Sequence, residues 1–156
     1  MPTAWRIVKE RYAGTAFTGE GARLYGGRWN SPGVPMIYTA QSQSLAILEM
    51  LVHLESPDIL KAYVFFETEI NIPLITQVDL SLLSQNWKDD PAPPQLQTIG
   101  DSWAASLDSV VLSVPSVLVP EERNFLLNPN HPDFSKLKIV GPTASQFDPR
   151  FAGKRR

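Results

Sequence analysis

The chain has 156 residues, 14 Lys and Arg against 16 Asp and Glu, a net charge of −2, two histidines and no cysteine. Disulfides, thiolate metal sites and a cysteine nucleophile are therefore excluded, and two histidines without an HExxH spacing make a zinc site unexpected. The balance lacks the basic excess of a protein that grips many phosphates, so direct nucleic-acid binding is not expected.

The first eleven residues carry Arg6, Lys9 and Arg11 with no apolar stretch behind them, so no signal peptide is read. No apolar run approaches the ~18 residues of a membrane span, and a cytoplasmic protein is expected. Trp5 to Val8 reads as a short strand. Residues 13 to 35 are rich in glycine and proline and read as a long irregular segment, the kind that more often carries function than not. Met36 to Ala40 reads as a strand. Ser42 or Ser44 can cap the next helix, which runs to about Leu54. Lys61 to Ile70 is a third strand. Residues 71 to 93 read as loop with a short helix near Leu80 to Gln85. Prolines at 91, 93 and 94 precede a helix from about Gln95 to Ser106. Ser109 to Val119 reads as one or two strands interrupted near Pro115, Phe125 to Asn128 as a short strand or turn, and Leu137 to Val140 as the last strand. Strands outnumber helices without regular alternation, which predicts an α+β fold. One domain over 1–156 is expected, with its core at about 5–142 and a solvated basic tail at about 150–156.

Several residues could carry chemistry. GEGARL (19 to 24) begins like GxGxxG but ends in Leu24, and no GxxxxGK[ST] exists, so any nucleotide must be bound by other means. Arg28 lies in GGRWN (26 to 30), where glycines permit close backbone approach and a guanidinium can fork onto a carboxylate or pyrophosphate. A structural ion pair or stacking on Trp29 is the alternative. Glu49 is the only acid in SLAILEMLVHL (44 to 54), a helix apolar nearly all round and so expected to be buried. A buried carboxylate must meet a cation or face a polar cavity, and an i,i+4 pair with His53 is the local alternative. The Tyr38 ring can stack on a flat cationic ligand such as nicotinamide, although a strand tyrosine is more often packing. Ser113 and Ser116 flank Val114-Pro115, where a hydroxyl can point into a cleft, but neither lies in GxSxG. His131, in a turn-rich loop, is expected to stabilise the turn.

Together these windows resemble the RES domain family. The match runs from Trp5-Arg6-Ile7 through residues 19 to 40 and LAILEMLVHL (45 to 54). It resumes at IGDSW (99 to 103), VPSVLVPEERNFLLNP (114 to 129) and HPDF (131 to 134). The Arg, Glu and Ser that name the family match Arg28, Glu49 and Ser116, with Tyr38 as a fourth family residue. Arg6 and Asn128 match a family arginine and asparagine and are counted with the substrate-binding residues. The resemblance implies a fold like the ADP-ribosyltransferase toxins, with a split, mostly antiparallel sheet around an NAD cleft. It implies a bacterial toxin neutralised by an antitoxin with an Xre-like helix-turn-helix domain. It implies an enzyme that consumes NAD by hydrolysis or phosphorolysis, with mono-ADP-ribosylation of a protein target as the alternative and a non-catalytic antitoxin-binding module as the second. NAD would be substrate rather than cofactor, with phosphate or a protein as acceptor, no metal required, and a homodimer left open. In that chemistry Glu49 would stabilise an oxocarbenium-like ribose and Arg28 would hold the pyrophosphate or a phosphate acceptor. Tyr38 would stack on nicotinamide, and Ser116 would bond the ribose or the amide.

Overall fold

The computed structural model describes residues 1–52, 62–145, 148 and 150. Among these residues seven strands form one sheet: β1 (Thr3–Lys9), β2 (Ile37–Ala40), β3 (Tyr63–Glu69), β4 (Ile75–Gln77), β5 (Val111–Pro115), β6 (Arg123–Leu127) and β7 (Lys138–Ala144). Among the described residues three α-helices accompany them: α1 (Glu20–Tyr25), α2 (Gln43–Leu51) and α3 (Pro94–Ser106). The sheet order is β4-β5-β6-β2-β1-β3-β7, with β4 and β5 parallel and every other pair antiparallel. This is an α+β architecture with an open, mostly antiparallel sheet.

Alternation along the strands builds a core on each side of the sheet. On one face Ile37, Val111, Phe125 and Leu127 pack with Ala4 and Ile70. On the other, Leu112, Val114 and Leu126 pack with Met36, Trp29 and, from α3, Leu96 and Trp103. The sheet divides at its middle. β1 pairs with β3 over seven positions but meets β2 at the single pair Trp5–Ala40. Where β1 and β2 part, the Arg6 guanidinium donates from Nη1 to the Tyr38 carbonyl at 2.9 Å and from Nε to the Ala16 carbonyl at 2.6 Å. A side chain thus supplies what the ladder lacks, and burial lowers the Arg6 pKa to about 10.

Four expectations change. A 3₁₀ turn at Glu10–Thr15 runs into the irregular segment, which also holds helix α1. Strand β4 lies inside the stretch expected to be loop. At three residues it is too short to show a period, and only its parallel pairing with β5 defines it. The chain around Phe125 is a full strand between β5 and β2, starting earlier at Arg123. Finally, α2 is not buried all round. Only Leu45 and Ala46 are buried, while Leu48 is 41% and Val52 57% exposed, because the helix rests on the sheet by one side alone. His53, and with it the expected Glu49–His53 pair, lies outside the described residues, as does the tail beyond Arg150. Among the described residues no helix is long and apolar enough to cross a membrane, and no three His, Cys, Asp or Glu side chains cluster as metal ligands.

Candidate active site

Helix α2 follows β2 after a two-residue turn, and the Ser42 hydroxyl caps it by accepting from the Leu45 amide at 3.1 Å. Leu45 and Ala46 pack on Ala40, with Trp5, Ile7 and Val119 around them. Glu49 is four residues after Leu45 and three after Ala46, so it lies on the same sheet-facing side one turn later. Its carboxylate there accepts from the Ser116 hydroxyl on Oε1 at 2.8 Å and from Asn124 Nδ2 on Oε2 at 2.9 Å.

Ser116 follows the end of β5 and is fully buried. Its hydroxyl proton goes to Glu49, while its oxygen accepts from the Leu118 and Val119 amides at 3.2 and 3.3 Å. One donor and two lone pairs are the whole capacity of a serine, so this hydroxyl has none left for a ribose or an amide. In this geometry Ser116 holds the carboxylate and its own turn. Ser113 sits on the opposite face and accepts from Arg123 Nε at 2.8 Å, which separates the two serines.

Arg28 is carried by a tight loop closed by Gly27 N–H donating to the Asn30 carbonyl at 3.0 Å. The Tyr38 hydroxyl holds this loop against the sheet. It accepts from the Trp29 amide at 3.0 Å and donates to Asn30 Oδ1 at 2.6 Å. Asn30 is buried and donates onward to the Ala22 and Val34 carbonyls. Burial drives the Tyr38 pKa well above the ordinary tyrosine value. Gly27 must be glycine because a Cβ there would lie 2.6 Å from the Tyr38 hydroxyl. From the other side, Gln97 of α3 donates to the Gly27 and Asn30 carbonyls, and Asp101 accepts from the Ser31 amide. Arg28 itself uses Nη1 for the Trp87 and Asp89 carbonyls at 3.1 and 2.9 Å. Its Nε and Nη2 have no hydrogen bond among the described residues. Among the described residues neither an ion pair nor a stack on Trp29 accounts for this side chain.

These pieces share one face of the sheet. Asn124, under Glu49, pairs across β6–β2 with Ala40, and Tyr38, under the Arg28 loop, pairs with Leu126. The two pairs are two residues apart along β2, about 7 Å. The other candidates lie elsewhere. Arg6 works at the parting of the sheet. Asn128, at the far end of β6, is buried, donates to the Ala104 carbonyl at 3.1 Å and accepts from the Asn130 amide at 3.0 Å, so its amide serves the scaffold. His131 accepts from the Asp133 amide on Nδ1, and the proton this leaves on Nε2 points to the Leu107 carbonyl at 2.8 Å. Surface hollows beside Lys9, Glu10, Arg11 and Ala62, and beside Met1, Asn71 and Lys136, lie away from Glu49. Asn124 was not singled out from sequence. The sequence carries no sufficient signal for it: only with β6 starting at Arg123 does Asn124 become an amide on the face that carries Leu126.

An open α+β sheet that gathers an arginine loop, a tyrosine, a buried serine and a helix-borne glutamate on one face defines the class of protein. The chain belongs to the RES domain family, whose model matches residues 3–148. It is 46% identical over 150 residues to a protein named Toxin Res from Yersinia enterocolitica, covering 94% of this chain and 97% of that one. It is 36% identical over 155 residues to the Prs ADP-ribosylating toxin of Sphingobium sp., covering 96% of each. In fold it is similar to a chain of the M. tuberculosis MbcT–MbcA toxin–antitoxin complex, with a TM-score of 0.74 at 18% identity over 92% of this chain and 84% of that one.

Proposed function

We propose that this RES-domain protein is the toxin of a toxin–antitoxin pair and that it acts by cleaving the nicotinamide–ribose bond of NAD. One observation carries the chemistry. The Glu49 carboxylate is held by a donor on each oxygen, on the same sheet face as a guanidinium whose Nε and Nη2 have no partner among the described residues. As the C–N bond breaks, its electron pair leaves with neutral nicotinamide and positive charge grows on the ribose carbon. An oriented carboxylate stabilises that charge without having to reorganise. Arg28 offers Nε and Nη2 to the pyrophosphate as a fork. The Tyr38 hydroxyl sets the height of the Arg28 loop, and the part of its ring that stays accessible is where nicotinamide would stack. Water, phosphate or a protein nucleophile then bonds to the ribose carbon and gives up a proton.

Free NAD consumption, by hydrolysis or phosphorolysis, is the first reading. Mono-ADP-ribosylation of a protein is the second, favoured by the name of the Sphingobium relative. A non-catalytic module is disfavoured because Arg28, Tyr38, Glu49 and Ser116 are all present. The MbcT–MbcA neighbour supports an antitoxin as partner, and an Xre-like helix-turn-helix protein is the kind we propose. Cytoplasmic action follows from an NAD substrate.

The test is nicotinamide release from NAD by purified protein, with products resolved by mass spectrometry with and without phosphate or cell lysate. Glu49→Gln should keep the fold and lose at least ~100-fold in turnover. Full turnover in that variant would remove Glu49 from the reaction and the proposal with it.

A further inference from the structure

We infer that Asn124 is a positioning residue for the Glu49 carboxylate, an inference that rests on the NAD-cleavage reading above. Ser116 holds only one carboxylate oxygen. The terminal torsion of a glutamate is broad, so one donor leaves the carboxylate plane free to turn. Asn124 supplies the second donor, Nδ2 to Oε2 at 2.9 Å. The same Nδ2 also donates to the Thr39 carbonyl at 3.2 Å. That second bond settles which way the amide faces, because a flipped amide would aim its oxygen at both the carbonyl and the carboxylate. Asn124 stands on β6 opposite Ala40, on which α2 rests, so one end of the Glu49 contact is on a paired strand and the other on a helix packed against its neighbour, neither on a loop. With Ser116 on one oxygen and Asn124 on the other, the carboxylate is held in plane as well as in place.

Asn124→Leu keeps the approximate volume and removes the donor. Nicotinamide release should fall about 10- to 100-fold in kcat, the scale of a misplaced catalytic group, with KM for NAD changed about two-fold or less. The loss should vanish when the same change is made in Glu49→Gln, because there is no longer a carboxylate to hold. Wild-type kcat in Asn124→Leu would overturn the inference. An equal fold-loss in both backgrounds would also overturn it, since that is the mark of a purely structural role at the Thr39 bond. If Asn124→Leu does not fold, Asn124→Ser is judged by the same two criteria. A wild-type protein that releases no nicotinamide would instead strike the functional reading itself, and this inference would fall with it.

Discussion

A Cβ on Gly100 would lie 1.7 Å from the carbonyl oxygen of Trp29. No side chain fits in that space, so α3 touches the backbone of the Arg28 loop directly. Gln97, three residues earlier, and Asp101, the next residue, bond the same loop. One helix surface therefore serves as the mould for the arginine. Gly100→Ala has no flexible neighbour to push aside, only main chain. It should cost about 3 kcal/mol, the upper end for overpacking, and raise KM for NAD by displacing Arg28. Urea denaturation checks the first effect and steady-state kinetics the second. A wild-type denaturation midpoint would show that the helix is not in contact as described.

Arg28→Lys tests the fork. A lysine keeps the charge but cannot reach two backbone carbonyls and still present a planar pair of donors. KM for NAD should rise about ten-fold, the loss of one charge-assisted hydrogen bond, with a smaller change in kcat. Equal KM in the two proteins would count against a phosphate role.

Ser116→Ala should differ from Glu49→Gln in kind. It strips a donor from Glu49 and leaves the Leu118 and Val119 amides without their acceptor. Stability should fall by about 1–3 kcal/mol and turnover should fall too. Glu49→Gln turns one acceptor into a donor, so it should lose no more stability than a single hydrogen bond is worth while cutting turnover far more. Calorimetry and NAD assays on the two proteins separate the cases. A Ser116→Ala protein with unchanged melting temperature would mean that the turn does not depend on that hydroxyl.

Tyr38 gives an alkaline signature. Burial raises its pKa in the folded state above the ordinary value near 10. The folded state then binds more protons than the unfolded chain, so this contribution is whole below about pH 10 and is lost as pH rises through the folded value. Arg6, lowered to about 10 by burial, acts in the opposite sense, since the unfolded chain binds more protons above that pH. Comparing wild type with Tyr38→Phe cancels Arg6. The variant should be less stable at neutral pH, having lost the acceptor for the Trp29 amide and the donor to Asn30. Its deficit should shrink above pH 10, as read by urea denaturation at a series of pH values. A deficit that stays constant would mean Tyr38 ionises as it does in the unfolded chain.

Sequence alone pointed to the fold class and to the residues on which the proposed chemistry rests. The excess of strands predicted α+β, the absent cysteines removed whole families of mechanism, and a single acid in an apolar helix marked Glu49. GGRWN, Tyr38 and the VPS block carried the family resemblance. Those signals are local, since composition, period and spacing can be read within one window. Only the tertiary structure decided which serine meets Glu49, that Tyr38 holds the arginine loop by its hydroxyl, and that Arg6 and Asn128 serve the scaffold. It alone showed Asn124, whose meaning depends on β6 starting at Arg123 and lying beside β2, and β4, which exists only through its partner β5. The contacts of Glu49 with Ser116 and Asn124, and the pairing of β4 with β5, join residues about 36 to 75 positions apart in the chain. They are settled by strand order and by which face each side chain takes, and a one-residue shift in strand limits reverses that face.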